Sequence, residues 1–391
     1  MSKKFSNIIF IGALVILALL MGVNMVNNFK NIEIKNLYGD RSKLGDVDFS
    51  VKKNLGAFFE SQYKVGKDSI NSKINFVGEG ENKVIYKNRD VLRGAYVDGA
   101  NFYDSKDYMA VINSEYGKKR VDLILKDKKS EEVKKTSIKL DEAPRILGVF
   151  GENNKIKFIT EERENEFSNL IIIKEYNFET NTLKNVANVG SYSQKIEFNC
   201  REGEDYYISK ITSDYDESKA VDEMKNLNIY KINLKDNTFK EYDIRKILEE
   251  NNIDLKGKYF YSLDISDGVA YIKISDSIDW SNIPEDEKIR MNHKYEMDNM
   301  PKVYSIATLN LKGGKVDFYK DCLNIKEVDK YIKNISQPMN LKILNGKLYF
   351  SVYVGESNRV SIGVVDLKSN KLIYLGEIKN VRMNGGFHNK E

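Results

Sequence analysis

The amino-acid sequence predicts an all-β protein, a β-propeller of about six (six to eight) four-stranded blades, preceded by one N-terminal transmembrane helix. Three observations lead to this fold class. They are an uncharged apolar run near the N-terminus, short alternating runs of apolar and polar residues, and a hairpin that recurs along the chain. The predicted domains are a cytoplasmic stub and transmembrane signal-anchor at 1–29 and an extracytoplasmic β-propeller domain at 30–391.

The apolar run is long enough to cross a membrane once. No charged side chain lies between Lys4 and Lys30, and about 20 apolar residues span a bilayer as a helix. A removable signal peptide has an apolar region of about 7–15 residues and a small-x-small cleavage site, and neither feature fits here. A core helix of a soluble protein would need packing partners all round. The predicted membrane-spanning residues include Ile8, Leu14, Leu17, Leu20 and Val26.

The charges at the N-terminus predict the orientation of this helix. Lys3 and Lys4 precede the apolar run, and positive charges favour the cytoplasmic side. We therefore expect a single-pass protein of the cell membrane with a cytoplasmic N-terminus and an extracytoplasmic C-terminal domain.

Beyond the apolar run, one hairpin recurs. In each copy a strand ends on an apolar residue, crosses a short turn and restarts. Aligning Phe178, Leu234, Leu311 and Leu367 gives spacings of 56, 77 and 56 residues. The copies lie at 169–183, 227–239, 303–316 and 360–372, with a weaker one at 121–133.

A second hairpin precedes each copy, so the repeating unit has four antiparallel strands in about 50 residues, as in a propeller blade. Its turns lie at 151–154, 203–205, 267–268 and 345–346. The units are expected near 91–140, 141–190, 192–250, 254–335 and 338–381, and the stretch 31–80 is expected to add a sixth. A tandem of β-sandwiches is the structural alternative.

This strand and turn pattern, over about 300 residues, resembles the irregular PQQ-enzyme-like or YncE-like propellers of bacterial envelopes. Signatures of other propeller classes are missing, because Trp280 is the only tryptophan and no Gly-Gly pair recurs in every unit. The resemblance implies a fold and an envelope location. It transfers no catalytic residues.

Composition excludes several kinds of site. The chain has two histidines, His293 and His388, and two cysteines, Cys200 and Cys322, too few for a zinc site with several His or Cys ligands. We expect both cysteines to be free thiols. The net charge is +4, and residues 30–391 carry 60 minus 58, or +2, so nucleic acid is not an expected partner. No catalytic, cofactor-binding or metal-binding residue is predicted, and no cofactor.

The segment 276–302 is the candidate partner-binding element. Tryptophan, tyrosine and methionine are enriched at contact surfaces. The alternative is that these side chains pack the segment onto the propeller body. Three further long segments, 213–226, 244–256 and 321–337, are expected on the same face. The candidate residues are Trp280, Ile283, Met291, Tyr295 and Met297.

The leading functional interpretation is a membrane-anchored, non-enzymatic binding or scaffolding module at the cell envelope, with a protein or a cell-wall glycan as its partner. One alternative is an extracytoplasmic hydrolase or lyase on a propeller scaffold, because 58 acidic residues ensure that some carboxylates lie close together. Another is a sensor or regulator of a membrane partner.

Overall fold

The computed structural model describes residues 16, 20, 23, 32–54, 59–76, 88–92, 100–114, 117–163, 169–192, 196–213, 224–276, 301–333, 335–336, 338–354, 359–379 and 381–389. The chain divides into two compact units. The first unit combines Met1–Glu79 with Cys322–Glu391, and the second is Gly80–Asp321.

The second unit contains four antiparallel sheets of four strands, each built from consecutive strands. They are β5 (Phe102–Asp104), β6 (Tyr108–Ser114), β7 (Arg120–Asp127) and β8 (Val133–Lys139); β9 (Arg145–Glu152), β10 (Lys155–Arg163), β11 (Asn169–Asn177) and β12 (Thr182–Tyr192); β13 (Ile196–Glu202), β14 (Asp205–Ser213), β15 (Met224–Asn233) and β16 (Thr238–Asp243); and β17 (Lys258–Ser266), β18 (Val269–Asp276), β19 (Val303–Asn310) and β20 (Val316–Asn324).

The first unit contains two sheets that join the two ends of the chain. Strand β1 (Ile34–Tyr38) extends the sheet of β21 (Met339–Leu344), β22 (Lys347–Tyr353), β23 (Arg359–Asp366) and β24 (Lys371–Lys379). Strand β25 (Arg382–Asn389) completes the sheet of β2 (Val47–Asn54), β3 (Phe59–Val65) and β4 (Ile70–Phe76).

Helices are few and short in the described part of the chain. Besides the helical residues 16, 20 and 23, they are α1 (Arg89–Leu92), α2 (Ile244–Glu250), α3 (Ile325–Asp329) and a 3-10 helix (Arg41–Leu44). The side chain of Asp243 caps α2 by accepting a hydrogen bond from the Lys246 amide at 3.0 Å. Helix α3 lies within the long segment 321–337.

One turn recurs at the end of the third strand of five sheets. The side-chain oxygen of an Asp or Asn accepts hydrogen bonds from amides two or three residues later, as in Asn310 with Lys312 (2.9 Å) and Gly313 (2.7 Å). The residue four positions on has a positive φ, for example 72° at Gly314. The five acceptors are Asp127, Asn177, Asn233, Asn310 and Asp366.

Four of these turns, those after Asp127, Asn177, Asn310 and Asp366, also connect to the preceding hairpin through a backbone hydrogen bond. The amide of Leu367 donates to the carbonyl of Gly346 at 2.9 Å, and the amide of Leu311 donates to Gly268 at the same distance. Asn345 and Gly346 both have positive φ, as do Asp267 and Gly268, which is the geometry of two-residue hairpin turns. The two hairpins of a sheet are therefore joined at one end, and the hairpin turns predicted at 267–268 and 345–346 are confirmed.

Buried side chains pack between neighbouring sheets of the second unit. One apolar cluster includes buried residues from β5–β7, β9–β12, β14 and β15, among them Leu123, Phe158 and Ile208. The Tyr206 hydroxyl donates to the carbonyl of Val149 and accepts from its amide at 3.2 Å. Gly148 leaves room for this contact, because a Cβ there would lie 2.6 Å from the Tyr206 ring.

The first unit has its own apolar core. Phe49 on β2 lies directly across from Phe387 on β25, with 4.7 Å between the ring centroids. The hydroxyl of Tyr349 on β22 donates to the carbonyl of Leu44 at 3.1 Å. The two sheets of this unit therefore share one core.

The all-β class and the four-stranded unit are confirmed, and the described residues form six sheets. The sixth predicted unit, the stretch 31–80, does not contain all four strands of its sheet. The stretch 31–80 supplies β1 to another sheet, and β25, which lies beyond the last predicted unit, takes the open place. Arg382–Asn389 contains two glycines and little alternation, so its local sequence gives no strand signal.

The predicted membrane helix falls mostly outside the described residues, as do Ile8, Leu14, Leu17 and Val26. Leu20 is helical, and 62% of it is exposed. Among the residues that the structure describes, none of the helices has the length and apolar character needed to span a bilayer.

The recurring turn makes a stability prediction. Asn310→Ala removes an acceptor for two backbone amides, so it should lower the free energy of unfolding by about 1 kcal/mol. Asn310→Asp keeps the oxygen and is the matched control. Urea unfolding of both variants measures the difference. Equal stability of Asn310→Ala and wild type would show that the turn does not depend on this side chain.

Candidate functional site

The candidate site is a group of polar side chains on one face of the β13–β16 sheet, called here the Lys210 cluster: Lys210, Asn228, Tyr230 and Glu241. Strand register places them together. Lys210 on β14 lies directly across from Asn228 on β15, and Tyr230 lies directly across from Glu241 on β16. Because side chains alternate between faces, all four project from the same side of the sheet.

The members of the cluster are in contact. The Lys210 Nζ lies 4.9 Å from the centroid of the Tyr230 ring. The Tyr230 hydroxyl donates to Glu241 Oε1 at 2.9 Å, and Asn228 Nδ2 donates to the same oxygen. Glu241 therefore orients both the phenol and the amide.

The cluster reaches from the interior to the surface. Lys210 is 7% exposed and Tyr230 is 1% exposed, whereas Glu241 is exposed. Burial lowers the pKa of Lys210 below its ordinary value of 10.5, and the charge of Glu241 opposes this shift only in part. Burial, followed by the hydrogen bond to Glu241 and its charge, raises the pKa of Tyr230. The amine thus loses its proton more readily than usual, while the phenol keeps its own.

The adjoining sheet packs closely against the amine and the phenol at a glycine. Gly190 on β12 has no side chain, and a Cβ there would lie 3.0 Å from Tyr230 Oη and 3.8 Å from Lys210 Nζ. Both groups therefore face the same backbone position of β12. A buried amine and a proton donor that converge on one region are suited to react with a carbonyl group.

Asn228 has an unused acceptor next to this region. The residue is 9% exposed, and its Oδ1 is buried with no hydrogen-bond partner in the described part of the protein. Buried polar atoms are nearly always paired, so this oxygen marks a place where a bound group could donate.

The equivalent positions of the β9–β12 sheet provide a contrast. Lys174 pairs with Glu162 at 3.2 Å and donates to Asn185 Oδ1 at 2.9 Å. The Thr160 hydroxyl donates to the same Glu162 oxygen at 2.8 Å. This second group is a closed network in which the lysine pairs directly with a buried carboxylate, and we regard it as structural.

The predicted partner-binding residues all lie outside the part of the chain that the structure describes. They are Trp280, Ile283, Met291, Tyr295 and Met297. His293 also lies outside it, whereas His388 lies on β25. Cys200 and Cys322 are both free thiols, as expected, and burial raises the pKa of Cys200 to about 12. Within the described ranges no group of three or more His, Cys, Asp or Glu residues is placed to hold a metal ion.

Sequence reasoning missed the Lys210 cluster. Its residues come from three strands, and none belongs to a recognisable catalytic motif. The available signal was a polar residue within a strand whose neighbours are apolar, namely Asn228 between Leu227 and Ile229.

Two oxygenases are among the solved structures to which this chain is similar. A variant of the Synechocystis apocarotenoid oxygenase has 9% sequence identity and a TM-score of 0.39, covering 91% of this chain and 95% of that chain. The Pseudomonas brassicacearum lignostilbene dioxygenase has 8% identity and a TM-score of 0.37, covering 91% and 94%. No family model and no curated protein sequence matches.

These comparisons correct two expectations. The resemblance to PQQ-enzyme-like or YncE-like propellers is wrong, because the matched structures are carotenoid and stilbene oxygenases. The same structures give no support to the interpretation as a non-enzymatic binding or scaffolding module, since each of them is an oxygenase. At 8–9% identity and TM-scores below 0.4, the likeness transfers neither a reaction nor a substrate to this chain.

The environment of Lys210 makes a pH prediction. Only the neutral amine reacts with acetic anhydride, so trace labelling of Lys210 should rise with pH around a midpoint below the ordinary lysine value of 10.5. The midpoint, unlike the absolute rate, does not depend on access to the buried amine. Mass spectrometry of peptides labelled across a range of alkaline pH measures it. A midpoint at or above 10.5 would contradict the assigned desolvation.

Proposed function

We propose that the protein is an enzyme that acts on small carbonyl compounds by forming a Schiff base with Lys210. The observation that supports this proposal is the closeness of the buried Lys210 amine and the Tyr230 phenol, which both face Gly190. A desolvated lysine is a better nucleophile than an exposed one because a larger fraction of it is uncharged at a given pH. Bond cleavage next to the resulting imine is the chemistry of a lyase.

The cluster supplies each proton that Schiff-base formation requires. The neutral Lys210 Nζ attacks the carbonyl carbon, and the carbonyl oxygen receives a proton from the Tyr230 phenol. Glu241 accepts a proton released from the attacking nitrogen and returns one to Tyr230 through their hydrogen bond. Loss of water from the carbinolamine then gives the imine. Overall, one amine and one carbonyl compound give one imine and one water.

No metal enters this proposal. One oxygenase structure with a similar course of the chain is cobalt-substituted, at 9% identity and a TM-score of 0.35. At that likeness we carry over neither the oxygenase reaction nor a metal-dependent step to the present chain.

The proposal is tested by trapping the imine. The full chain is incubated with propanal and sodium borohydride at neutral pH, and the modified lysines are mapped by mass spectrometry. Lys210 should be propylated well before the exposed Lys139, because reduction fixes the imine that the cluster favours. Labelling of Lys210 at or below the level of Lys139 would overturn the proposal.

Three variants sharpen the trapping experiment. Lys210→Met keeps most of the length of the side chain and should lose the label without unfolding. Lys174→Met, in the closed network of the β9–β12 sheet, should leave labelling of Lys210 unchanged. Tyr230→Phe should slow trapping, because the proton donor is lost while the ring stays.

We also propose that the protein is anchored in the cell membrane by residues 1–29, with its N-terminus in the cytoplasm. The support is the uncharged run between Lys4 and Lys30 and the lysines before it. The finer fold expectation, that the six sheets are blades of one β-propeller, is supported by their four-stranded pattern. A protein or cell-wall glycan partner for the segment 276–302 stays a prediction.

The anchor is tested by fractionation and proteolysis. The protein should stay in the membrane pellet after a high-salt wash, and protease added to intact spheroplasts should degrade the region beyond Lys30. A cytoplasmic protein of the same cells is the control for lysis. Recovery of a soluble mature chain that starts near residue 23 would show a cleaved signal instead.

A further inference from the structure

The hairpin of β7 and β8 concentrates positive charge. Residues 118–139 contain nine Lys or Arg and four Asp or Glu, a net charge of 9 minus 4, or +5, whereas residues 30–391 together carry +2. Lysines on an edge strand ordinarily keep that edge from pairing with another chain, and β8 lies at the edge of its sheet in the described part of the chain. That role does not account for Arg120, because β7 lies between β6 and β8.

Two of these cations lie directly across from each other. The strand register pairs Arg120 on β7 with Lys139 on β8. Arg120 lies 3.4 Å from the half-exposed Asp122 and donates to Ser137 Oγ at 2.7 Å, whereas the exposed Lys139 pairs with no carboxylate among the described residues. Like charges at directly opposite positions destabilise a sheet, so a bound anion beside them would be favoured.

The β21–β24 sheet has the same pair and neutralises it from within. Arg359 lies directly across from Lys379, and Arg359 Nη1 donates to Glu377 Oε1 at 3.1 Å. The Glu377 side chain is only 7% exposed, so this carboxylate belongs to the sheet. The equivalent residue of β8, two positions before the lysine, is Ser137, which has no charge. The fold can therefore supply a buried carboxylate to such a pair, and the β5–β8 sheet does not.

An open cavity of about 470 Å³ lies against the Arg120–Lys139 pair. This volume is within the range of about 300–1,000 Å³ that is typical of small-molecule sites. Lys119 adds a third cation and pairs with Glu142 at 3.0 Å, with both side chains about half exposed. The three cations thus outnumber the two carboxylates that contact them, Asp122 and Glu142. The residues that line the cavity are Lys119, Arg120, Ser137, Ile138 and Lys139.

We propose that this cavity binds a phosphate group, held by Lys119, Arg120 and Lys139. A tetrahedral phosphate accepts hydrogen bonds from several directions, and guanidinium and ammonium groups are its usual donors. The cavity is larger than a phosphate ion, and Ile138 offers an apolar contact, so the phosphate is carried by an organic group. That group belongs either to a soluble small molecule or to a lipid headgroup. The site does not involve Lys210, and it stands or falls independently of the Schiff base.

Protection of Lys139 from acetylation tests the site. The full chain in detergent is treated with a trace of acetic anhydride at mildly alkaline pH, in inorganic phosphate or in sodium chloride of equal ionic strength. Labelling of Lys139 is divided by labelling of Lys379, the exposed lysine of the pair that Glu377 neutralises. A nearby anion favours the charged, unreactive form of an amine, so phosphate should lower this ratio about tenfold relative to chloride.

A third sample distinguishes the two sources of the phosphate. It contains glycerophosphoglycerol, the soluble headgroup of phosphatidylglycerol. If this compound also protects Lys139, the site accepts a phosphodiester and fits an anionic lipid headgroup. If inorganic phosphate alone protects Lys139, the site takes phosphate monoesters of soluble compounds. Either result supports a phosphate site.

Variants assign the protection to the cavity. Arg120→Gln removes one of the three cations and should abolish most of the protection of Lys139. Lys119→Gln serves if the arginine variant does not fold, as judged by its melting curve. Lys129→Gln is the matched control, because it changes the net charge equally in the turn of the same hairpin, where Lys129 pairs with Asp107 at 3.1 Å. It should leave the protection unchanged.

Two results would overturn the phosphate site. Equal labelling ratios in phosphate and chloride would show that no phosphate binds beside Lys139. A loss of protection in Lys129→Gln as large as in Arg120→Gln would show a general effect of the charge of the hairpin, with no part for the cavity.

Discussion

In five of the six described sheets, the hydrogen bonds accepted by a side-chain oxygen at the end of the third strand are the interaction on which the rest of the sheet depends. It accepts backbone amides of the following turn at Asp127, Asn177, Asn233, Asn310 and Asp366. The turn then closes through a residue with positive φ four positions later, at Glu131, Asn181, Asn237, Gly314 and Asn370. A turn of constant length sets the register of the fourth strand. Since a slip by one residue would move every side chain to the other face, the turn also determines which residues are buried.

The candidate site follows from this register. Asn233 closes the turn between β15 and β16, and the ladder then pairs Asn233 with Thr238, Ile232 with Phe239 and Tyr230 with Glu241. The hydrogen bond between the Tyr230 phenol and Glu241 is a consequence of that pairing. A shorter or longer turn would place Lys240 or Tyr242 opposite the phenol and leave the carboxylate on the other face. The chemistry of the cluster is thus set by a turn several residues away.

Local patterns could be predicted from the sequence, and long-range pairings could not. The recurring hairpins and their Asn-Gly and Asp-Gly turns were predicted because their partners are adjacent in the chain. Strand β25 was missed because its partner β2 lies more than 300 residues away and its own sequence has little alternation. The Lys210 cluster was missed for a related reason. Gly190, Lys210, Asn228 and Glu241 come from four strands, and only the packing of two sheets shows that they meet.

The comparison of the two equivalent groups separates structure from function. In the β9–β12 sheet, Lys174, Glu162, Thr160 and Asn185 satisfy one another, so the arrangement needs nothing beyond the fold to explain it. In the β13–β16 sheet, a lysine is desolvated and an asparagine oxygen is buried without a partner in the described residues. Both features oppose folding, and the same repeat shows that a closed network is possible at these positions. Departures from local consistency that bring no structural gain are typical of functional sites. The group that holds the unpaired Asn228 oxygen, rather than its closed counterpart, is therefore where we propose the chemistry.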